Sequence, residues 1–316
     1  MLSCLRRKFA PWISFGLFFG LLIGALFLAA PEASAAFDAK TLPADLKSVM
    51  VGDVPFVYSE QGQGDPLVIL SPYPFSTALW ADFAKRLSAS ARVIVVEPPG
   101  MRDAASMKAD YTAIHLLFLY RDFAKAIGLT KARYLGVGES GALAVAISHH
   151  WPEQVIAAIS INGLESAGMS ENVSNMLKLF KMAGSGGPEM LLAGASARFR
   201  DKPPADAGKL VLLADDDQKK AFTARLQAYT DDIAQAIIPA MLPNLNRPIL
   251  LIRSKDDQML TQELIDRTRK FVKSGGLIKY EVVPDAGHFA FIDQPDKVAE
   301  LVRAFLNANP VSTAAN

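Results

Sequence analysis

Cysteine is almost missing from this chain: Cys4 is the only one among 316 residues, and it precedes the first apolar run. The body of the protein therefore has neither a disulfide nor a cysteine nucleophile, and Cys4 is badly placed to carry a lipid. Histidine is nearly as scarce, with four, and none is spaced for zinc, so no metal is expected. An excess of one charge is lacking too, since 33 Lys and Arg face 32 Asp and Glu. That balance gives no reason to expect nucleic acid or an anionic membrane surface as a partner. What is plentiful is apolar: 51% of the residues are hydrophobic, enough for the core of one large domain or of a domain with an inserted cap.

The first 35 residues stand apart from that core. Arg6, Arg7 and Lys8 precede an uncharged apolar run from Pro11 to Ala30, and Ala33-Ser34-Ala35 has the small residues of a signal-peptidase site. This reads as export to the periplasm or beyond, with a mature chain starting near Ala36. The run also approaches the roughly 20 residues that span a bilayer, so an uncleaved anchor in the inner membrane is the alternative. Setting aside Arg6, Arg7, Lys8 and Glu32 takes the formal charge to about −1.

From Val54 the chain alternates short β-branched runs with longer amphipathic ones. PLVILS, ARVIVVE, ARYLGVG, QVIAAISIN, RPILLIRS and LIKYEVVP read as buried strands. TALWADFAKRLSA, YTAIHLLFLYRDFAKAIGL, SGALAVAISHH, residues 261–273 and DKVAELVRAFL read as helices. Repeated strand-helix-strand units imply a mostly parallel sheet covered on both faces. Between 163 and 246 the rhythm breaks into an all-helical stretch, which predicts a cap inserted between a first core part, 36–162, and a second, 247–309, with a disordered tail at 310–316. Asp215, Asp216 and Asp217 open a helix in that cap and read as an N-cap favoured by the helix dipole. His115 reads as a hydrogen-bonded core residue, and His149 and His150 as helix-closing residues.

The segment YLGVGESGALAVAISHHWP admits three chemistries. Gly136, Gly138 and Gly141 spell a dinucleotide fingerprint with Glu165 at the distance of a ribose ligand. That reading sets the motif in mid-chain, behind two earlier strands, and leaves Asp257 and His288 unexplained. Ser140 as the nucleophile of a strand-turn-helix elbow is the second reading, and Gly138 at that elbow is the third. Downstream, Asp257 follows one buried strand and His288 the next. Strand ends on the carboxyl edge of a parallel sheet are where such folds gather catalytic groups, and nucleophile, acid, histidine is the order of one triad family.

On these residues the chain from about Val54 to Leu306 resembles an α/β-hydrolase of the lidded esterase, epoxide-hydrolase and C-C hydrolase type. PLVILSPYPFSTALW is similar to that family's strand, oxyanion loop and Trp-bearing helix, with Trp80 in register; VIVVEPPGMRDA is similar to its Asp-x-Pro-Gly turn, and AGHFAFIDQP to its histidine motif. Two motifs depart from the pattern. The oxyanion loop is Ser71-Pro72-Tyr73-Pro74 where His-Gly-x-Pro is usual, though Tyr73 keeps an N–H and Pro72 has none. The family's spacing forward from Gly128 and backward from Pro152 both place Gly138 at the apex, whereas Ser140 there needs a strand two residues longer and a helix two shorter.

The resemblance implies hydrolysis of a small ester or related acyl substrate without a cofactor. Ser140 would attack, His288 would relay the proton, Asp257 would orient the imidazole, and the N–H groups of Tyr73 and Glu139 would hold the oxyanion. With Gly138 at the nucleophile position, the same fold implies an inactive module binding a ligand or partner. Two further alternatives keep catalysis without an elbow serine: Asp257 and His288 activate water, or Ser71 is the nucleophile.

Overall fold

The computed structural model describes residues 37–103, 111–163, 244–257 and 277–311, with isolated positions at 106, 210, 262 and 266. Among the described residues, eight strands form one sheet in the order β1-β2-β4-β3-β5-β6-β7-β8. The described elements are β1 (Leu46–Val51), β2 (Val54–Gln61), β3 (Pro66–Leu70), α1 (Ala81–Leu87), β4 (Arg92–Val96), α2 (Ala113–Ala126), β5 (Ala132–Val137), α3 (Glu139–His150), β6 (Val155–Ile161), β7 (Ile249–Ser254), β8 (Ile278–Val283), α4 (Ala290–Asp293) and α5 (Pro295–Ala308).

Every strand read from the sequence is present, within a residue or two at each end. β3 through β8 pair in parallel, and β3 to β7, which lie inside the sheet, are apolar on both faces, whereas the outer strand β8 buries only Val283. The sequence reading missed the antiparallel start. β1 and β2 form a hairpin closed at Gly52-Asp53, and β2 runs antiparallel to β4. Lys47, Ser48, Glu60 and Gln61 make these two strands look polar, because they form the sheet edge, where one face meets water. Lys47 and Arg92 both pair with Glu60 there.

The two faces of the sheet carry separate cores. One packs α2 and α3 through Leu116, Tyr120, Phe123, Leu143 and Ile147. The other packs α1 and α5 through Phe83, Leu87, Val298, Val302 and Phe305. Trp80 lies flat on Phe291, ring centroids 3.8 Å apart, and joins the start of α1 to α4. α3 is covered nearly all round, with every residue from Ser140 to Ser148 buried. That is the expected position for the helix following the central strand.

His115 corrects one expectation. It is exposed on the first turn of α2, where its Nδ1 accepts the Thr112 N–H at 3.0 Å as half of a capping box. Its apolar neighbours misled, because a capping residue belongs to the helix end whatever the face beside it. His149 and His150 do close α3. Most of the stretch expected to form a cap, with its Asp215–Asp217 run, and most of the expected 261–273 helix lie outside the described residues.

Candidate functional site

Gly138 sits at the turn between β5 and α3, with φ 57° and ψ −129°. A side chain is strained at such a backbone, and glycine removes the steric objection. The turn is tight in the second place at Gly136, where a Cβ would collide with the backbone of Ser140. Gly136 and Ser140 are thus the small residues two before and two after the apex. This contact fixes the frame that strand and helix patterns left open.

Ser140 is consequently on the first turn of α3, and its hydroxyl faces inward. Its Oγ accepts from Val137 N–H at 3.0 Å and donates to the Leu70 carbonyl at 2.8 Å, with the Val137 carbonyl at 3.0 Å. It stitches β5 to β3 and is 1% exposed. In this geometry the Ser140 hydroxyl is engaged with the sheet, and the residue whose missing side chain would face the imidazole is Gly138. Ser71, the alternative nucleophile, is likewise engaged with the backbone. Its Oγ donates to the Phe75 carbonyl at 2.9 Å and lies near that of Ser76 at 3.2 Å, closing the loop that carries Tyr73.

Asp257 and His288 are brought together as their order implied. Asp257 lies three residues past β7 and His288 five past β8, and His288 Nδ1 is 2.8 Å from Asp257 Oδ2. Both side chains are all but fully buried. A carboxylate on Nδ1 fixes the tautomer that leaves Nε2 as the acceptor in the neutral ring. Nε2 has no hydrogen-bond partner among the described residues and points at Gly138: a Cβ built there would lie 2.7 Å from it. The imidazole therefore rests where a nucleophile's side chain would start.

The oxyanion loop holds a second surprise. The Tyr73 N–H is present, as expected, but it donates to Glu139 Oε1 at 3.0 Å. A carboxylate oxygen occupies a donor that would serve a developing oxyanion. Only the backbone N–H of Glu139 figured in the sequence reading, and a side chain reaching back across 66 residues of sequence leaves no local signal. The Tyr73 hydroxyl donates to the Pro99 carbonyl at 2.6 Å, pinning the loop to the turn after β4. Tyr120 stands behind the pair; burial first, and then the neighbouring Tyr73 and Glu139, hold its hydroxyl well above its ordinary pKa.

Asn162 is a residue the sequence reading passed over. It directly follows β6 with φ 51°, is fully buried, and its Nδ2 donates to Ser254 Oγ and to the His288 carbonyl, each at 2.8 Å. Its Oδ1 accepts the Ser254 N–H at 2.8 Å. It ties the ends of β6 and β7 to the histidine loop. An asparagine before glycine at a strand end was the available signal, since Asn tolerates left-handed backbone better than most residues.

Glu165 lies outside the described residues, and among those described no group of three or more His, Cys, Asp or Glu converges as a metal site would. Gly136, Gly138 and Gly141 are spent on the turn and its packing against Ser140, His288 and Ser160.

Comparison with known proteins gives a consistent family. Residues 67–301 match the model of the alpha/beta hydrolase family. A 2-hydroxy-6-oxo-6-(2'-aminophenyl)hexa-2,4-dienoic acid hydrolase of Metapseudomonas resinovorans is 23% identical over 267 residues, covering 82% of this chain and 90% of that protein. Epoxide hydrolase 3 of Xenopus tropicalis is 21% identical, covering 79% and 74%. Among solved structures, a thermophilic esterase of Thermogutta terrifontis superposes with a TM-score of 0.67 at 18% identity, covering 81% and 94%. These matches support a hydrolase at the level of scaffold and family.

Proposed function

The chain belongs to the alpha/beta hydrolase family, and from that premise we propose that it is a member in which the serine cycle is disabled and the site binds a small molecule. The observation that carries this is Gly138 at the elbow apex, with the His288 imidazole against it and the Ser140 hydroxyl bonded into the sheet. Two losses compound. A serine hydrolase without its nucleophile loses on the order of 10⁶ in kcat. An oxyanion donor is worth about 10²–10³ more, and here the Tyr73 N–H is engaged by Glu139. On this reading no covalent acyl intermediate forms. The test is a fluorophosphonate probe together with nitrophenyl ester turnover. Folded wild-type protein is expected to take no label at Ser140 or Ser71 and to hydrolyse esters no faster than His288→Ala.

A second reading is favoured by the intact Asp257–His288 pair. With Nε2 open to a ligand, the pair can act as a general base on water, which is worth about 10²–10⁴. Ester or epoxide turnover that takes no label, survives Ser140→Ala and disappears in His288→Ala would replace the first reading with this one. In either case the helical stretch 163–246 is proposed as the cap that shapes the pocket. The first 35 residues are proposed as an export signal, or failing cleavage as an anchor. The mass of the protein recovered from its native cell distinguishes these.

A further inference from the structure

We propose that the outer face of α2, with the end of α3 beside it, is a surface that rests on the lipid–water interface of a bilayer. The solvent-facing stripe of a helix is ordinarily polar. The inner face of α2 is core, with Leu116, Leu117, Tyr120 and Phe123 buried. Its outer stripe is divided along the axis. The first half carries Ile114 and Phe118, one turn apart and 48% and 45% exposed, and the second half carries Arg121 and Lys125. Trp151, which caps the end of α3, meets Phe118 edge to face with ring centroids 5.4 Å apart, and His150 adjoins Trp151 at 5.8 Å. At the head of α2, Tyr111 stacks on His115 at 5.2 Å.

A single exposed apolar side chain is ordinary on a folded protein, so contiguity carries the argument. Arg121 holds the rings together, its guanidinium 4.8 Å from the Phe118 centroid and 5.1 Å from that of Trp151. Two hydrogen bonds to Asp122, at 2.7 and 2.9 Å, offset its charge. Rings of this kind, Trp and Tyr above all, gather at headgroup level, where one edge meets water and the other meets acyl chain. A cation already paired adds little long-range attraction, so the contact is apolar in character and suits a chain of balanced charge.

The chain itself indicates a bilayer as the occupant. Residues 31–45 join the apolar run Pro11–Ala30 to β1, and β1 packs against α2, with Val49 and Val51 set into the core that α2 covers. This step rests on the reading of the first 35 residues as an export signal or anchor, which brings the chain to a membrane in either case.

Site-directed labelling of the full chain tests this. Cys4→Ser removes the only cysteine, and one cysteine at a time is then introduced for an environment-sensitive nitrobenzoxadiazole dye. Ile114→Cys and Phe118→Cys report on the patch, Lys279→Cys on the exposed side of β8, and Ala25→Cys on the apolar run. Each labelled chain is reconstituted with phosphatidylcholine vesicles with and without brominated lipid, and far-UV circular dichroism confirms that it is folded. Dyes at 114 and 118 are expected to be quenched by bromolipid severalfold more than the dye at 279, and added salt is expected to leave this unchanged, since an apolar contact is not screened. Quenching at 25 with none at 114 and 118, or equal quenching at 279, overturns the patch while the membrane reading of the first 35 residues stands. Quenching at none of the positions overturns both. A dye at 118 shielded from water and bromolipid alike, increasingly so at higher protein concentration, makes the occupant a second copy of the chain and overturns the lipid assignment.

Discussion

Putting a serine at position 138 is the most direct challenge to the geometry. The new residue must adopt φ 57° and ψ −129°, a backbone that costs a non-glycine residue about 1–3 kcal/mol. Its Cβ would arrive 2.7 Å from His288 Nε2, closer than such contacts occur, so the imidazole has to give way. The ring is a side-chain end and can move, but Asp257 holds Nδ1 at 2.8 Å and Asn162 holds the backbone carbonyl at 2.8 Å. Loosening a hydrogen bond to a charged partner adds about 1.5–3 kcal/mol. The sum, about 2.5–6 kcal/mol, corresponds to a fall in Tm on the order of 5–25 °C for a large domain. Gly138→Ala carries the same backbone and Cβ and is expected to fall by nearly the same amount. In a fluorophosphonate assay Gly138→Ser alone is expected to label slowly, because Glu139 still engages the Tyr73 N–H. Adding Glu139→Ala is expected to speed labelling by about 10²–10³, the worth of an oxyanion donor. A Gly138→Ser protein as stable as wild type, labelling as fast alone as with Glu139→Ala, would refute both steps of the reasoning.

Other consequences follow from the same contacts. Asn162→Ala removes three buried hydrogen bonds and puts a Cβ-bearing apolar residue at φ 51°; a loss of about 2–4 kcal/mol in urea unfolding is expected, and a change under about 1 kcal/mol would argue against the tie. Asp257→Asn should abolish the downfield Nδ1 proton signal of His288 in NMR, and an unchanged signal would mean that the 2.8 Å contact is not the one orienting the ring. Trp80→Ala takes away the ring stacked on Phe291 and is expected to cost about 3–5 kcal/mol by the same unfolding measurement, an effect under about 1 kcal/mol refuting the packing. Burial first, then His149, lowers the pKa of His150 in the folded state. The unfolded chain therefore binds the extra proton more readily, so this stability is present above the ordinary histidine pKa and lost as pH falls below it. Because His150 is largely exposed the slope is small; the urea midpoint measured from neutral to mildly acid pH should fall less in His150→Gln, and equal slopes would contradict the shift.

The strands from β3 to β7 were legible because a parallel sheet covered on both faces demands apolar runs, and they appear where those runs lie. The β1–β2 hairpin was missed for the complementary reason, since an edge exposes one face and dilutes the pattern. The acid and the histidine were legible too. Their position past consecutive strands places them at one sheet edge whatever the loops do between. The nucleophile was not, and the cause lies in the periods involved. Moving the elbow by two residues keeps every strand side chain on its own face, because the strand repeat is two, so hydrophobic pattern alone cannot choose between Gly138 and Ser140.

By itself, then, the sequence determined the order of elements, the family and the Asp257–His288 pair, all of which rest on local composition and on where strands end. The tertiary structure decided the rest. It set Gly136 against the Ser140 backbone and so placed Gly138 at the apex; it turned the Ser140 hydroxyl to Leu70, 70 residues away; and it brought the Glu139 carboxylate to Tyr73, 66 residues away. Those contacts join chain segments that no periodicity connects, and the reading proposed for the site rests on them.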